Sequence, residues 1–335
     1  MNALGRRWVR GALIAAVIAV ALGLPIAGTP YLIDVGTLVL VYVMLGLGLN
    51  VVVGYAGLLD LGYAAFFAIG AYTTAILMDD AHLAFWWTLP AAACFTALSG
   101  VVIGTPTLRL RSDYLAIVTL GFGEIVRIAA TNLTFTGGPE GLYGIPHPTI
   151  GGLVLRSPQA LYFLGLAFAL VVLAGSYNLA RSRLGRAWLA IREDEAAAQA
   201  VGIYPVHSKL MAYVLGAVFA GAAGSFFAVK LTAINPSSFT FIQSVTILMV
   251  IILGGMGSLP GVVLAAAVIV VLPEVLRAFD QVRMFAFGIG LIILMLMRPQ
   301  GLWPSRIGQI ERRAVAVSEA SAAAVVAADA AATTE

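Results

Sequence analysis

The sequence predicts an all-α, polytopic integral membrane protein with about eight to ten transmembrane helices, some of them broken or re-entrant. Three observations predict it. Of 335 residues, 61% are apolar and only 10% charged, which leaves too few polar groups to cover a water-facing surface. Apolar windows of about 17 to 25 residues, the length that crosses a hydrocarbon core of about 30 Å, recur along the chain. The basic residues gather in alternate connections between those windows, as the positive-inside rule requires.

The first window, Gly11 to Gly28, follows Arg6, Arg7 and Arg10 and has the look of a secretory signal. No small-residue cleavage site precedes Tyr31, so it is expected to be an uncleaved span. The next two, Leu32 to Val53 and Leu61 to Met78, carry Gly46, Gly48, Gly54, Gly57, Gly62 and Gly70. Such glycines let helices approach closely, or, as the sharper alternative, mark a broken helix that lines a pore. Asn50 is placed to hydrogen-bond between helices in either case. Trp87 to Leu108 holds the single cysteine, Cys94, so there is no disulfide framework. Trp86, Trp87 and Tyr31 fit an aromatic belt at the outer interface.

Tyr114 to Ala130 contains Glu124 near its centre and Arg127 three residues on, an ion pair along one helix face. A carboxylate at that depth should not face lipid; it either lines a path or belongs to a structural pair that locks helices together. Glu274 and Arg277 repeat the spacing. Leu161 to Ala180 and Leu210 to Val229 follow. Three windows then fall short of the usual length: Phe239 to Leu253, Gly261 to Leu276 and Met284 to Met297. The first two flank Gly254-Gly-Met-Gly-Ser-Leu-Pro-Gly261, so they are two short spans or a re-entrant hairpin. The span count is ten or eight, even either way. The run Gly54-Tyr-Ala-Gly57-Leu-Leu-Asp60 resembles Gly254-Gly-Met-Gly257-Ser-Leu-Pro260, which marks an internal repeat or is a coincidence among 36 glycines.

With both ends on the cytoplasmic side, that side receives Arg6, Arg7, Arg10, Arg109, Arg111, Arg181, Arg183, Arg186, Arg192, Lys209, Arg298, Arg306, Arg312 and Arg313, which are 14 of the 19 basic residues. The longest outer loop, Thr131 to Ser157, is rich in Thr, Gly and Pro and has no strand alternation. The organisation expected is a segment 1–10, a membrane domain 11–303 with a cytoplasmic loop at about 181–209, and a low-complexity tail 304–335.

That cytoplasmic loop is the one well-defined polar island. Leu184, Trp188, Ile191, Glu195, Ala198 and Gly202 recur at steps of three and four along one side of a helix, with Arg186, Glu193, Asp194 and Gln199 opposite. An amphipathic helix of this kind is a solvated connector with an interfacial Trp188, lies on the membrane, or inserts into a soluble partner.

The segment resembles the coupling loop of permease subunits of ATP-binding cassette importers, in which a Glu-Ala-Ala motif followed by glycine docks on the ATPase. Ala197-Ala198 and Gly202 keep that spacing, while Ala196 occupies the glutamate position and Glu195 stands one residue earlier. The resemblance implies Gly185, Trp188, Ile191, Glu195, Ala197, Ala198 and Gly202 as the ATPase-coupling residues. Further stretches are similar to the branched-chain amino acid importer permeases, the LivM-like branch, from about Val35 to Trp303. These are Gly57-Leu-Leu-Asp-Leu-Gly62, Ala64-Ala-Phe-Phe-Ala-Ile-Gly-Ala-Tyr72, Thr136-Gly-Gly-Pro-Glu-Gly141, the breaker run, Leu272-Pro-Glu274 and Arg298-Pro-Gln-Gly-Leu-Trp303.

The resemblance implies half of a permease pair in the inner membrane, carrying leucine, isoleucine or valine. Its partners would be two ATP-binding subunits, a second related permease and an external solute-binding protein that lands on the outer loop. Related importers carry other amino acids, amides or urea. Neither lysine of the chain, Lys209 or Lys230, follows a glycine as a Walker A loop requires, so ATP is expected on another polypeptide. Asn50, Glu124, Arg127 and Glu274 are the candidates for the translocation path. The rival is an ion-coupled secondary transporter with Glu124 or Glu274 as its ion site. An enzyme is not expected, since no nucleophile, base and orienting group fall together. Nor is a cofactor, a metal or a nucleic-acid partner: His82, His147 and His207 lie far apart.

Overall fold

The computed structural model describes residues 21–26, 28–108 and 112–276, with 288–289, 292, 296 and 301–303 beyond them. The segment 1–10, most of the window Gly11 to Gly28, nearly all of Met284 to Met297, Arg277 and the tail 304–335 lie outside the described residues.

Helix α1 spans Pro30–Leu49 and starts where composition says it should. Thr29 caps it, its Oγ1 accepting from Leu32 N at 3.4 Å, and Pro30 fills the first position, where no donor is needed. It runs on as a π-helical turn, Asn50–Tyr55. Then follow α2 (Ala64–Asp79), α3 (Phe85–Thr107), α4 (Ser112–Asn132) and α5 (Pro158–Arg181), the last again opened by a Ser157 cap and a proline. The polar island forms α6 (Arg183–Glu193) and α7 (Glu195–Ala200). The chain continues as α8 (Pro205–Leu231), α9 (Phe241–Gly254) and α10 (Leu259–Val275). Among the described residues five helical segments are long and apolar enough to cross a membrane: Pro30–Tyr55, Phe85–Thr107, Tyr114–Asn132, Pro158–Arg181 and Pro205–Leu231. Helices α2, α9 and α10 are apolar but shorter.

Helix α8 is the hub, packing on α1, α2 and α3. Its small residues make this possible. A Cβ on Gly70 of α2 would stand 2.4 Å from the Gly221 carbonyl oxygen, and one on Gly224 2.2 Å from that of Phe67, so the two backbones touch directly. Close approach, one of the two readings of the glycines, is therefore real. Around the crossing the aromatic side chains interlock, Phe67 with Phe227 at 5.0 Å between ring centroids and Phe66 edge-on to Tyr213 at 5.4 Å.

The other reading of those glycines, a broken helix, is also realised. Residues 56–63 are not helical, so the window Leu61 to Met78 begins three residues ahead of its helix. Tyr63, at the head of α2, donates its hydroxyl to Gly216 O at 2.7 Å. Gly216 lies about 16 Å along α8 from Pro205 by helix rise, so α2 starts deep within the helical layer.

Backbone at such depth must be satisfied by protein, and it is: Leu58 N donates to Val52 O, Leu61 N to Thr119 Oγ1, Gly62 N to Asp60 Oδ1 and Ala64 N to Ser244 Oγ. Helix α9 packs back against α10, the two joined by the turn at Gly255–Ser258.

On the side opposite α6, the long loop carries more structure than its sequence predicts. β1 (Leu142–Tyr143) pairs antiparallel with β4 (Ala233–Ile234), and β2 (Thr149–Ile150) with β3 (Leu153–Val154). Two-residue ladders are too short to leave an alternation in the sequence. The pairing of β1 with β4 ties the loop to the chain leaving α8.

Candidate functional site

The polar island is two helices, not one. Asp194 leaves helical geometry at φ −155° and ψ 111° and caps α7, its Oδ1 accepting from Ala196 N at 2.8 Å and Ala197 N at 2.9 Å. The single amphipathic stripe from Leu184 to Gly202 is thereby corrected: an aspartate followed by a glutamate in the first turn breaks the helix where periodicity alone continues it.

Of the coupling residues implied by resemblance, Gly185, Trp188, Ile191 and Ala198 are buried against this chain itself. Trp188 is fully enclosed and donates Nε1–H to Ser208 O at 2.7 Å. Glu195 meets Lys209 Nζ at 2.7 Å, which fastens α7 to the second turn of α8. Trp188, Ile191 and Ala198 thus anchor the loop to its own membrane domain, while Leu184 of the same stripe is exposed. What faces outward is a different set: Glu195, Ala196, Ala197, Gln199 and Gly202, with Val201 77% and Tyr204 80% exposed. Gly202 sits at φ +85°, in the left-handed region that suits glycine. Periodicity found the island, but the exposed pair Val201 and Tyr204, just past the helix, lies off the stripe.

The path candidates are not brought together. Asn50 is fully buried and its Oδ1 accepts from Gly257 N at 2.9 Å, so it does bond between elements, joining the π-helical turn to the turn before α10. The two similar glycine runs are neighbours, since a Cβ on Gly54 would stand 2.7 Å from Gly257 N. Glu124 and Arg127 pair as their spacing predicts, Oε2 to Nη2 at 2.8 Å, but each side chain is 32% exposed and both belong to α4. The pair therefore locks no two helices within this chain. Glu274 is half-buried near the end of α10.

Asp60 of the Gly57-Leu-Leu-Asp-Leu-Gly62 run is not among the expected path residues. It lies fully buried on the non-helical segment, where it folds back on Gly62 N at 2.8 Å, and the hydroxyls of Tyr213 and Thr119 face it. Its one sequence signal is an acid among apolar residues at the start of a window. On the α6 side the segment also meets Arg192, whose Nη1 donates to Gly54 O at 2.7 Å.

A bundle of apolar helices with a broken segment at its inside, and a polar helix pair strapped to one face, is the architecture of a multi-pass membrane protein. A family model described as "Branched-chain amino acid transport system / permease component" matches residues 31–297, and the chain belongs to that family. It is 43% identical over 320 residues to the high-affinity branched-chain amino acid transport system permease protein LivM of Salmonella typhimurium, covering 88% of this chain and 75% of the relative. It is 25% identical over 286 residues to the permease protein BraD of Pseudomonas aeruginosa, covering 78% and 91%. A more distant relative is the autoinducer 2 import system permease protein LsrC of an Enterobacter species, at 27% identity over 58% of this chain and 57% of that one. The family is one of transport permeases and not of enzymes.

Proposed function

We propose that this chain is one half of the permease pair of an ATP-binding cassette importer and moves leucine, isoleucine and valine across the inner membrane. The observation that carries the reading is the 43% identity to LivM, sustained over 88% of the chain. The side bearing α6 and α7 is the cytoplasmic one, in keeping with its arginines, and both chain ends lie there. Two ATP-binding subunits serve the pair, and one of them docks on the outward face of the loop, at Ala197, Val201, Gly202 and Tyr204. The exposed aromatic and aliphatic side chains of that patch are what such a contact needs at its centre. The buried residues Gly185, Trp188, Ile191 and Ala198 act indirectly, by holding the loop in place. The second permease covers the open face of α4, where Glu124 and Arg127 would then border the path between the two. The solute-binding protein lands on the opposite side, around the two short ladders of residues 142–154 and 233–234.

The test is reconstitution in proteoliposomes with the two ATP-binding subunits, the second permease and the binding protein. The expected result is ATP-dependent accumulation of leucine, isoleucine and valine that stops when the binding protein is left out. Uptake by this chain alone, driven by a proton or sodium gradient, would instead support an ion-coupled carrier.

A further inference from the structure

Resting on the reading of α6 and α7 as the ATPase contact, we propose that Arg192 is the positioning residue that carries movement of that loop into the membrane domain, by holding the π-helical end of α1. Arg192 stands in the last turn of α6, and its guanidinium donates to Gly54 O at 2.7 Å. That carbonyl belongs to the end of the α1 helical run, where backbone acceptors lack helical partners and a cation is favoured. The stem of Arg192 rests on Gly57, which has φ +69° and where a Cβ would come within 2.8 Å of Arg192 Cγ. A side chain there would crowd that stem and strain the backbone.

The far side of the same turn is held equally closely. Asn50 Oδ1 accepts from Gly257 N at 2.9 Å. The Gly255–Ser258 turn bends through two glycines of positive φ, and Ser258 Oγ accepts from Gly261 N at 3.3 Å to start α10. Leu302 N and Trp303 N donate to Leu253 O and Gly254 O, adding a third strand of chain to the junction. Gly54 is thus gripped by the loop from one side and by the α9–α10 turn from the other. A π-helical turn is a frequent site of functional adjustment in a helix, and here it is the element between the two. Meanwhile Trp188 to Ser208 and Lys209 to Glu195 fasten the loop to α8. Movement of α6 and α7 is therefore passed to α8 and, through Arg192, to the α1 turn with the start of α10, as well as to α5, against which α6 packs.

The experiment uses the whole reconstituted transporter with Cys94→Ser and spin labels at two pairs of positions. One joins Leu98 on α3 to Arg183 on the loop; the other joins Leu98 to Met256 in the α9–α10 turn. Without Arg192→Ala, both distances should differ between the ATP-bound and nucleotide-free states. With it, the loop distance should still change while the Met256 distance stays fixed. Uptake should fall about tenfold or more, the loss of a charged hydrogen bond, while the ATP-binding subunits still co-purify. Arg192→Lys, which keeps a donor and a charge, should restore part of both signals. Should Arg192→Ala fail to assemble, Arg192→Gln carries the same pair of distances. A Met256 distance that still responds, or uptake at the unaltered rate, overturns the proposal. A loop distance that ignores ATP even with Arg192 in place would instead show that the ATPase reading itself is mistaken, and the proposal would fall with it.

Discussion

Helices α4 and α8 have similar apolar composition and opposite situations. Their most apolar stretches have mean hydropathies of 1.5 and 1.8, yet 67% of that stretch is buried within the chain in α8 and 22% in α4. The difference comes from side-chain size at particular positions. Gly216, Gly221 and Gly224 of α8 meet backbone or side chains of α1, α2 and α3, whereas Gly121 of α4 has nothing within 4 Å of where a Cβ would be. Lipid tails are as apolar as leucine, so hydrophobicity decides that a helix enters the bilayer and small residues decide what it packs on.

The strongest way to break the comparison is to put the same bulk on both helices' contacts. Gly70→Leu drives a side chain into the Gly221 backbone, and overpacking of this kind costs about 1 to 3 kcal/mol or more where no side chain can yield. The folded subunit should be lost from the membrane or melt far lower in detergent. Gly121→Leu should leave the subunit's melting unchanged. If Gly121→Leu disrupts only the pair with the second permease, co-purification will show it, and the open face of α4 is the permease interface.

Glu124→Gln sharpens the same contrast with a smaller effect. A buried pair broken on one side would cost about 3 to 5 kcal/mol, but this one is intrahelical and a third exposed. It ties no second helix of this chain, so its loss should move the subunit's melting less than breaking a pair between helices would. Uptake in the reconstituted transporter should fall. A large loss of stability with normal uptake per folded molecule would return the pair to a purely structural role.

Much of this was legible in the sequence, for identifiable reasons. Long apolar windows located the spans, because hydropathy is a local signal. The i, i+3 spacing placed Glu124 against Arg127. Other features were less legible. Residues 56–63 are as apolar as a helix, and hydropathy does not distinguish extended from helical backbone, so the glycines offered a break only as one of two readings and its bounds, with the buried Asp60 upon it, were not placed. The cap at Asp194 was readable by residue type, but periodicity outweighed it. Amphipathic spacing found the face of Trp188 and Ile191 without saying whether it meets another protein or this chain. The link from Arg192 to Gly54 spans 138 positions, and no local pattern announces it.

The smallest effect expected concerns specificity. Within the spans the polar groups are few, chiefly Asn50, Asp60, Glu124, Arg127 and Gln243, and an apolar wall separates side chains by only about 1 to 3 kcal/mol per methylene. Exchanging the binding protein for one of different preference that still docks should change which amino acid is imported. Tight, stereospecific binding by the permease pair alone would contradict this.

The central claim, that the outward face of α6–α7 receives an ATP-binding subunit while the apolar face holds the loop to its own chain, is tested most directly by site-specific crosslinking in the assembled transporter. Cysteines at Ala197 and Val201, with Cys94 replaced by serine, should be captured by an ATP-binding subunit in the presence of a short bifunctional reagent. Cysteines at Ile191 and Ala198 should not. Capture at Ile191 and Ala198, with none at Ala197 and Val201, would mean that the loop turns over on assembly and that its packing against α8 is not the working one.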